Sequence, residues 1–481
     1  MRYISTRGSG SGVSPMEAVL QGMAPDGGLY MPENAVLPGT DPTGYAGIAA
    51  NILEAAFAGG YSPGSLRETA SAAYASGRFD DPLIAPLKAV GPYSVLELFH
   101  GPTASFKDIA LSVLPRLMTY ARDHLAPDKE ILVLTATSGD TGSATMAGFC
   151  DVPGIKVIAF YPQDGVSPVQ AAQMQRMAGA NIRAVAIRGD FDQAQAGVKA
   201  IFRRADSVAP HLLLSSANSI NIGRLIPQMA YYFDAIRQLG GHRQAVFSVP
   251  TGNFGDILAG RLAQMAGLPI SGLVCATNAN SVLHDALQNG VYDRRRALVK
   301  TLSPSMDILL SSNFERAVSL ACRGDSALCK ALMRTLEEEG RVTLPKSVLK
   351  NLQLGFSSAV CTDAQALDTI GRVWQKEGYL LDPHSASAWH ALQARQAEAA
   401  WQEAAIALST ASPFKFPAAC LRALHVPVPA LPEVQLRVLQ QETGLPLPGA
   451  LEGLLQKPIL HREIIEASAM ADYVKEKALT W

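Results

Sequence analysis

The chain has 481 residues, 48% hydrophobic and 17% charged, with 41 Lys and Arg against 42 Asp and Glu, a formal charge of −1. That length supports a large core in two or three packed units, and 40 Gly and 30 Pro are ordinary usage, which excludes disordered, collagenous and low-complexity classes. A balanced charge offers no bulk positive field to nucleic acid or an anionic membrane surface, and no apolar run reaches the roughly 18 residues of a spanning helix.

Residues 1 to about 90 read as a small leading unit. Ser14, Pro15 and Glu17 supply an N-cap, a first-turn proline and the acidic partner of a capping box, so a helix is expected from there to about Gly22. Ala24-Pro25-Asp26-Gly27-Gly28 carries turn chemistry, and the GSGSG run at Gly8 to Gly12 follows no strand and reads as a flexible connector. From about 91 the pattern changes. β-Branched or apolar runs at Ile131–Thr135, Ile155–Phe160, Ile182–Ile187, Leu212–Leu214, Ala245–Val249 and Leu273–Ala276 alternate with stretches of helical length. Such runs predict parallel sheets covered on both faces, with ligands at the carboxyl ends of the strands. Residues 290 to 350 are more polar and read as a solvated helical insertion, and 355 to 425 return to the α/β pattern. Val426-Pro427-Val428-Pro429 marks a boundary at about 428, beyond which a helical tail, 429–481, ends in a helix expected near His461.

Three segments stand where strand ends should be. Thr137-Ser138-Gly139-Asp140-Thr141-Gly142-Ser143 joins a strand to a helix, and backbone N–H groups at a helix start make a site for a carboxylate or phosphate. Pro250-Thr251-Gly252-Asn253-Phe254-Gly255-Asp256 repeats that design, with two glycines permitting close approach. Neither has the spacing of a nucleotide-binding loop. The third is His100-Gly101-Pro102-Thr103-Ala104-Ser105-Phe106-Lys107-Asp108, in which apolar flanks around Lys107 favour a desolvated, nucleophilic amine. A Schiff-base lysine plus a phosphate cradle is what pyridoxal 5′-phosphate (PLP) requires of a protein.

The strings HGPTASFKD, TSGDTGSA, SANSINIGRLIPQ, PTGNFGD and STASPFKF, in that order, resemble the long, microbial and fungal type of the threonine synthase family, as do Ser5-Thr6-Arg7-Gly8 and APDGGLYMP near the start. Ser303-Pro304-Ser305-Met306-Asp307 and Asp382-Pro383-His384 look like further landmarks of that family. The resemblance implies a PLP fold-type II architecture, tryptophan synthase β-like, with two parallel-sheet lobes and a small N-terminal domain. It implies that Lys107 is the catalytic, PLP-bearing lysine, that Gly252, Asn253, Phe254, Gly255 and Asp256 lie on the cofactor phosphate, and that Thr410, with Ser409 beside it, meets the pyridine nitrogen. The loop Ser138, Gly139, Asp140, Thr141 would take the substrate carboxylate. The implied substrate, O-phospho-L-homoserine, needs a second cationic pocket, for which Arg224 and Lys415 are the candidates, with Ser216, Asn218 and Asn221 as donors. Where many relatives have His, this chain has Ser412. His100 and His384 read as structural imidazoles.

The implied reaction converts O-phospho-L-homoserine and water to L-threonine and phosphate. A PLP phospho-lyase releasing a 2-oxo acid shares the early steps, and a catalytically silent PLP-binding protein shares the fold, so the product decides among them. Cys150, Cys275, Cys322, Cys329, Cys361 and Cys420 lack the paired spacings of a zinc site or a disulfide framework. With no apolar leader at the start, a cytoplasmic monomer or homodimer without a metal is expected.

Overall fold

Ser14 opens the first helix, Pro15–Gln21: its hydroxyl accepts from Glu17 N, and the Glu17 carboxylate accepts in return from Ser14 N. The chain is described here in a computed structural model over residues 1–8, 10–39, 43–204, 211–241, 243–398 and 403–480, so the GSGSG reading falls partly outside it, at Ser9. In the leading unit Tyr3–Ser5 pairs antiparallel with Tyr30–Pro32 beside the helices Gly44–Phe57 and Pro63–Ala73.

Each apolar run named above is a strand. Ile464–Glu466, Ile182–Arg188, Ile155–Pro162, Glu130–Ala136 and Leu212–Ser216 form one parallel sheet in that order. A second sheet runs Ser357–Val360, Ile270–Thr277, Ala245–Pro250, Ala404–Ser409, Tyr93–Glu97 and Leu87–Val90, parallel except for the last pair, a hairpin. All of Ala245–Pro250 is buried, as both-face coverage requires. Ala407 registers with Ser248 and Ser409 with Glu97, so the carboxyl ends of these strands come level and their loops meet.

Two expectations need correction. The helix expected near His461 is first a strand: the β-branched pair Ile464 and Ile465 adds parallel to Ile182–Arg188 and covers that edge, and the helix begins only at Met470. Its Met470, Tyr473 and Val474 pack on Phe160 and Val198, whereas Leu436, Leu439 and Leu454 pack with Trp389 and Leu421 against the other sheet, so residues 432–480 join both cores. The insertion at 290–350 is not merely solvated. Arg316, fully buried, bonds the carbonyls of Tyr30, Ser219 and Ile220, and Ser311 and Asn313 reach the Pro250–Asp256 loop. Among the described residues no helix is long and apolar enough to cross a membrane.

Candidate active site

Lys107 begins the helix Lys107–Leu111 in a loop locked to the end of Ala404–Ser409. Leu98 N donates to Ser409 O, Phe106 N to Thr410 O and Ser412 N to Ala104 O, at 2.9, 2.9 and 3.1 Å. Ala104 takes φ +55°, a left-handed conformation unusual for a residue with a Cβ and held in place by these bonds. Lys107 Nζ lies 4.5 Å from the Phe106 ring centroid and 3.5 Å from Asp140 Oδ2. Burial pushes its pKa below the ordinary lysine value; Asp140 opposes this, while the charges of Lys415 and Arg224 reinforce it. An amine so placed is held toward its nucleophilic form.

Asp140 starts the helix Asp140–Phe149. Its Oδ1 accepts from Lys415 Nζ and Gln170 Nε2, each at 2.7 Å, and its Oδ2 accepts from Ser305 Oγ at 3.2 Å. Burial alone would raise its pKa, but Lys415, Lys107 and His384 together hold it well below the usual carboxylate range. Thr137 Oγ1 accepts from Gly139 N and Gly142 N, leaving the N–H groups of Asp140 and Thr141 without an acceptor among the described residues.

The Pro250–Asp256 loop is pinned from behind. Gly252 O accepts from Ser311 Oγ at 2.8 Å, and Asn253 O from Asn313 N and Nδ2 at 3.1 and 3.0 Å. With its carbonyls so engaged, the N–H groups of Gly252 to Asp256, at the start of the helix Gly255–Met265, have no acceptor among the described residues. Such a row can cradle a phosphate. A Cβ on Gly252 would fall 2.6 Å from Ser305 O, so only glycine leaves the loop this close to its neighbour. Asp256 Oδ1 accepts from the Tyr231 and Tyr232 hydroxyls at 2.6 and 2.9 Å, its Oδ2 has no partner among the described residues, and burial pushes its pKa up to about 6.

Arg224 is 2% exposed. Its Nη1 donates to Ala217 O, its Nε has no partner among the described residues, and burial pushes its pKa down to about 10. Asp108 acts on it only at a distance, and a buried guanidinium that no carboxylate contacts among the described residues is costly unless an anionic ligand completes it.

Lys107, Asp140, Thr141, Asn218 and Arg224, the whole run Gly252 to Asp256, and Thr410 line one cavity. Other expected site residues lie outside its lining. Ser138 and Gly139 are not in its lining, and Gly139 faces Gln170. Ser216 lines an adjoining cavity. Asn221 is spent on structure: its Oδ1 accepts from Gly223 N, and its Nδ2 donates to Val19 O and Ser216 O. Lys415, wholly buried, is held by Asp140 and by Thr103 O at 2.8 Å rather than facing open space. Ser409 points away, its Oγ 2.9 Å from Ser385 Oγ, because neighbours along a strand face opposite sides. Ser412 caps the turn Pro413–Lys415, accepting from Phe414 N. The lining also includes Gln228 and Ser305, for which no site role is expected, and His384, expected as a structural imidazole. Gln228 was accessible to pattern reasoning, four residues beyond Arg224; the other two rest on contacts between distant segments.

A phosphorylated aromatic aldehyde fits these residues: a desolvated amine for the carbonyl, unpaired backbone donors for the phosphate and the Thr410 hydroxyl for a ring nitrogen. Residues 89–353 match the family described as pyridoxal-phosphate dependent enzyme, and residues 2–74 match threonine synthase N terminus. The chain is 39% identical over 443 residues to a threonine synthase of Pseudomonas aeruginosa, covering 90% of this chain and 92% of that one. PLP-bound threonine synthase from Brucella melitensis superposes with TM-score 0.86 at 35% identity, covering 99% of both chains. Yeast threonine synthase superposes with TM-score 0.87 at 32% identity, over 100% of this chain and 99% of that one.

Proposed function

This chain belongs to the threonine synthase family of PLP-dependent enzymes, and on that premise we propose that it converts O-phospho-L-homoserine and water to L-threonine and phosphate. The observation that carries the substrate is Arg224. A cofactor phosphate would be served by the backbone row Gly252 to Asp256, so a buried cation in the same cavity, in contact with no carboxylate among the described residues, calls for a second anion. The substrate's own phosphate supplies it.

Lys107 would hold the cofactor, with Gly252 to Asp256 on its phosphate and the Thr410 hydroxyl at its ring nitrogen. Bound PLP supplies an electron sink that acidifies the hydrogens of the substrate carbons near its amine. The N–H groups of Asp140 and Thr141 receive the substrate carboxylate at a helix start, which suits a negative charge. Arg224 fixes the other end, so Cα is presented to Lys107. Once displaced, Lys107 Nζ accepts the Cα proton, and its lowered proton affinity favours the free amine that this step needs. Asp140, anchored by Lys415, Gln170 and Ser305, orients that amine by hydrogen bonding without taking its proton. The six free cysteines suit work in the reducing cytoplasm.

Incubation of the holoenzyme with O-phosphohomoserine, following phosphate and carbon product together, tests the reading. Threonine and phosphate in equal amounts are expected. Phosphate with a 2-oxo acid in place of threonine marks a phospho-lyase, and neither product overturns the proposal.

A further inference from the structure

We propose that Arg316 is a positioning residue for the cofactor-phosphate cradle, acting through Asn313; the inference rests on the assignment of Gly252 to Asp256 to that phosphate. The fully buried guanidinium is aimed by carbonyls of two distant segments. Its Nε donates to Tyr30 O at 3.0 Å in the leading unit, its Nη2 to Ile220 O at 2.6 Å and its Nη1 to Ser219 O at 3.1 Å. The same Nη1 donates to Asn313 Oδ1. A guanidinium only donates, so the amide oxygen of Asn313 must face it and the amide nitrogen is turned the other way. There Nδ2 donates to Asn253 O at 3.0 Å and to Ser219 Oγ at 2.9 Å. Asn313 is itself fully buried, so its amide has no bulk water to turn toward.

The carbonyl that Asn313 holds decides where the cradle points. Asn253 O and the Phe254 N–H belong to one planar trans peptide and point in opposite directions. Holding the oxygen back toward Asn313 therefore turns the Phe254 N–H the other way, on the loop that lines the cavity. Phe254 takes φ +63°, a left-handed backbone that a residue with a Cβ adopts at a cost, so the loop keeps this shape only while bonds from behind fix it. Asn313 supplies two of them, from its N at 3.1 Å and from Nδ2, both to Asn253 O. An amide turned over would set Asn313 Oδ1 against Asn253 O, two acceptors with no proton between them, and would release the loop. Arg316 forbids that flip.

The test compares PLP with pyridoxal, which has the same aldehyde and ring without the phosphate. Both are titrated by visible absorbance into full-chain apoprotein of the parent, Arg316→Lys, Asn313→Ala and the double variant. Lysine keeps the buried charge but lacks the planar fork that reaches the carbonyls and Asn313 together. In Arg316→Lys the ratio of PLP affinity to pyridoxal affinity is expected to fall about fivefold or more, the scale of one hydrogen bond. Asn313→Ala should lower the ratio likewise, and in that background Arg316→Lys should lower it no further. An unchanged ratio in either single variant overturns the proposal, equal loss of both ligands included, since that marks a merely structural role. A full effect of Arg316→Lys on the ratio in the Asn313→Ala background overturns it too, because the residue then acts by another route. Should Arg316→Lys not fold, Asn313→Ala carries the test alone. A parent that binds pyridoxal as tightly as PLP overturns the cradle assignment instead.

Discussion

The ammonium of Lys415 lies 2.7 Å from the carboxylate of Asp140, with side-chain exposures of 0% and 3%. Asp140 thus serves two lysines, closely for Lys415 and at 3.5 Å for Lys107. Lys415→Met removes a positive charge that opposes protonation of Lys107, so the proton affinity of Lys107 rises and the pH at which apoprotein captures PLP fastest moves upward. Breaking a buried pair from one side costs about 3 to 5 kcal/mol. Urea unfolding of the apoprotein measures the cost, and visible absorbance on mixing with PLP across pH measures the shift. A variant as stable as the parent, with an unmoved profile, shows that the pair does not form.

Lys107 carries the cofactor in this reading, so the parent is expected to be yellow and borohydride to fix the label on a peptide containing Lys107. Lys107→Ala should lose the label and, after dialysis, the colour. Mass spectrometry of the reduced protein decides, and a parent that takes up no PLP at all removes the basis of the site.

What the sequence made legible, and what it hid, divides along a physical line. Strands such as Ala245–Pro250 and the helix opened by Ser14 follow from local pattern, because burial on both faces and capping write themselves into neighbouring residues. The loops holding Lys107, Asp140 and Gly252 to Asp256 were legible as loops, since tight turns and close approach demand particular residue types. Partnership between distant segments was not. Nothing around Lys415 says that its charge is spent on Asp140, and nothing around Asn221 says that its amide ties Val19 to Ser216. The strand Ile464–Glu466 was hidden for the same reason: three residues acquire that conformation only from the sheet edge they join.

Arg224→Ala separates the two anion sites. Loss of the guanidinium leaves a substrate phosphate unpaired in a closed cavity, at a cost of about 2 to 5 kcal/mol in substrate affinity. PLP affinity should change little, because the backbone row Gly252 to Asp256 is untouched. Titration of apoprotein with PLP and of holoenzyme with substrate gives the two numbers, and equal losses would mean that the phosphates are wrongly apportioned.

Asp256 gives a pH dependence of defined sign. Burial raises its pKa from 3.8 to about 6 in the native state, so between those values the native protein binds more protons than the unfolded chain. Stability from this group is therefore lost as pH rises from about 4 to 6, by up to about 3 kcal/mol at 1.36 kcal/mol per unit. Asp256→Asn keeps an acceptor for the Tyr231 and Tyr232 hydroxyls and removes the titration. The unfolding free energy of the apoprotein variant relative to the parent should climb across that window and level off above it. A difference independent of pH would show an ordinary carboxyl.

Thr410 and Ser409 offer adjacent hydroxyls on opposite sides of the chain, of which only Thr410 reaches the cavity, while Ser409 Oγ meets Ser385 Oγ at 2.9 Å. The two positions should therefore fail differently. Ser409→Ala removes a buried hydrogen bond and is expected to cost about 1 kcal/mol of stability with kcat retained. Thr410→Val nearly keeps the volume and removes the contact proposed for the cofactor's ring nitrogen. If that contact strengthens as negative charge enters the ring, kcat falls about tenfold or more while PLP stays bound, since only interactions gained in the transition state lower the barrier. Thr410→Asp is the sharper case. A carboxylate there favours a protonated ring nitrogen, draws more charge into the ring and shifts product from threonine toward 2-oxo acid. The ratio of the two products reads it out, and a Thr410→Asp variant that makes threonine as fast and as cleanly as the parent shows that the ring nitrogen faces some other residue.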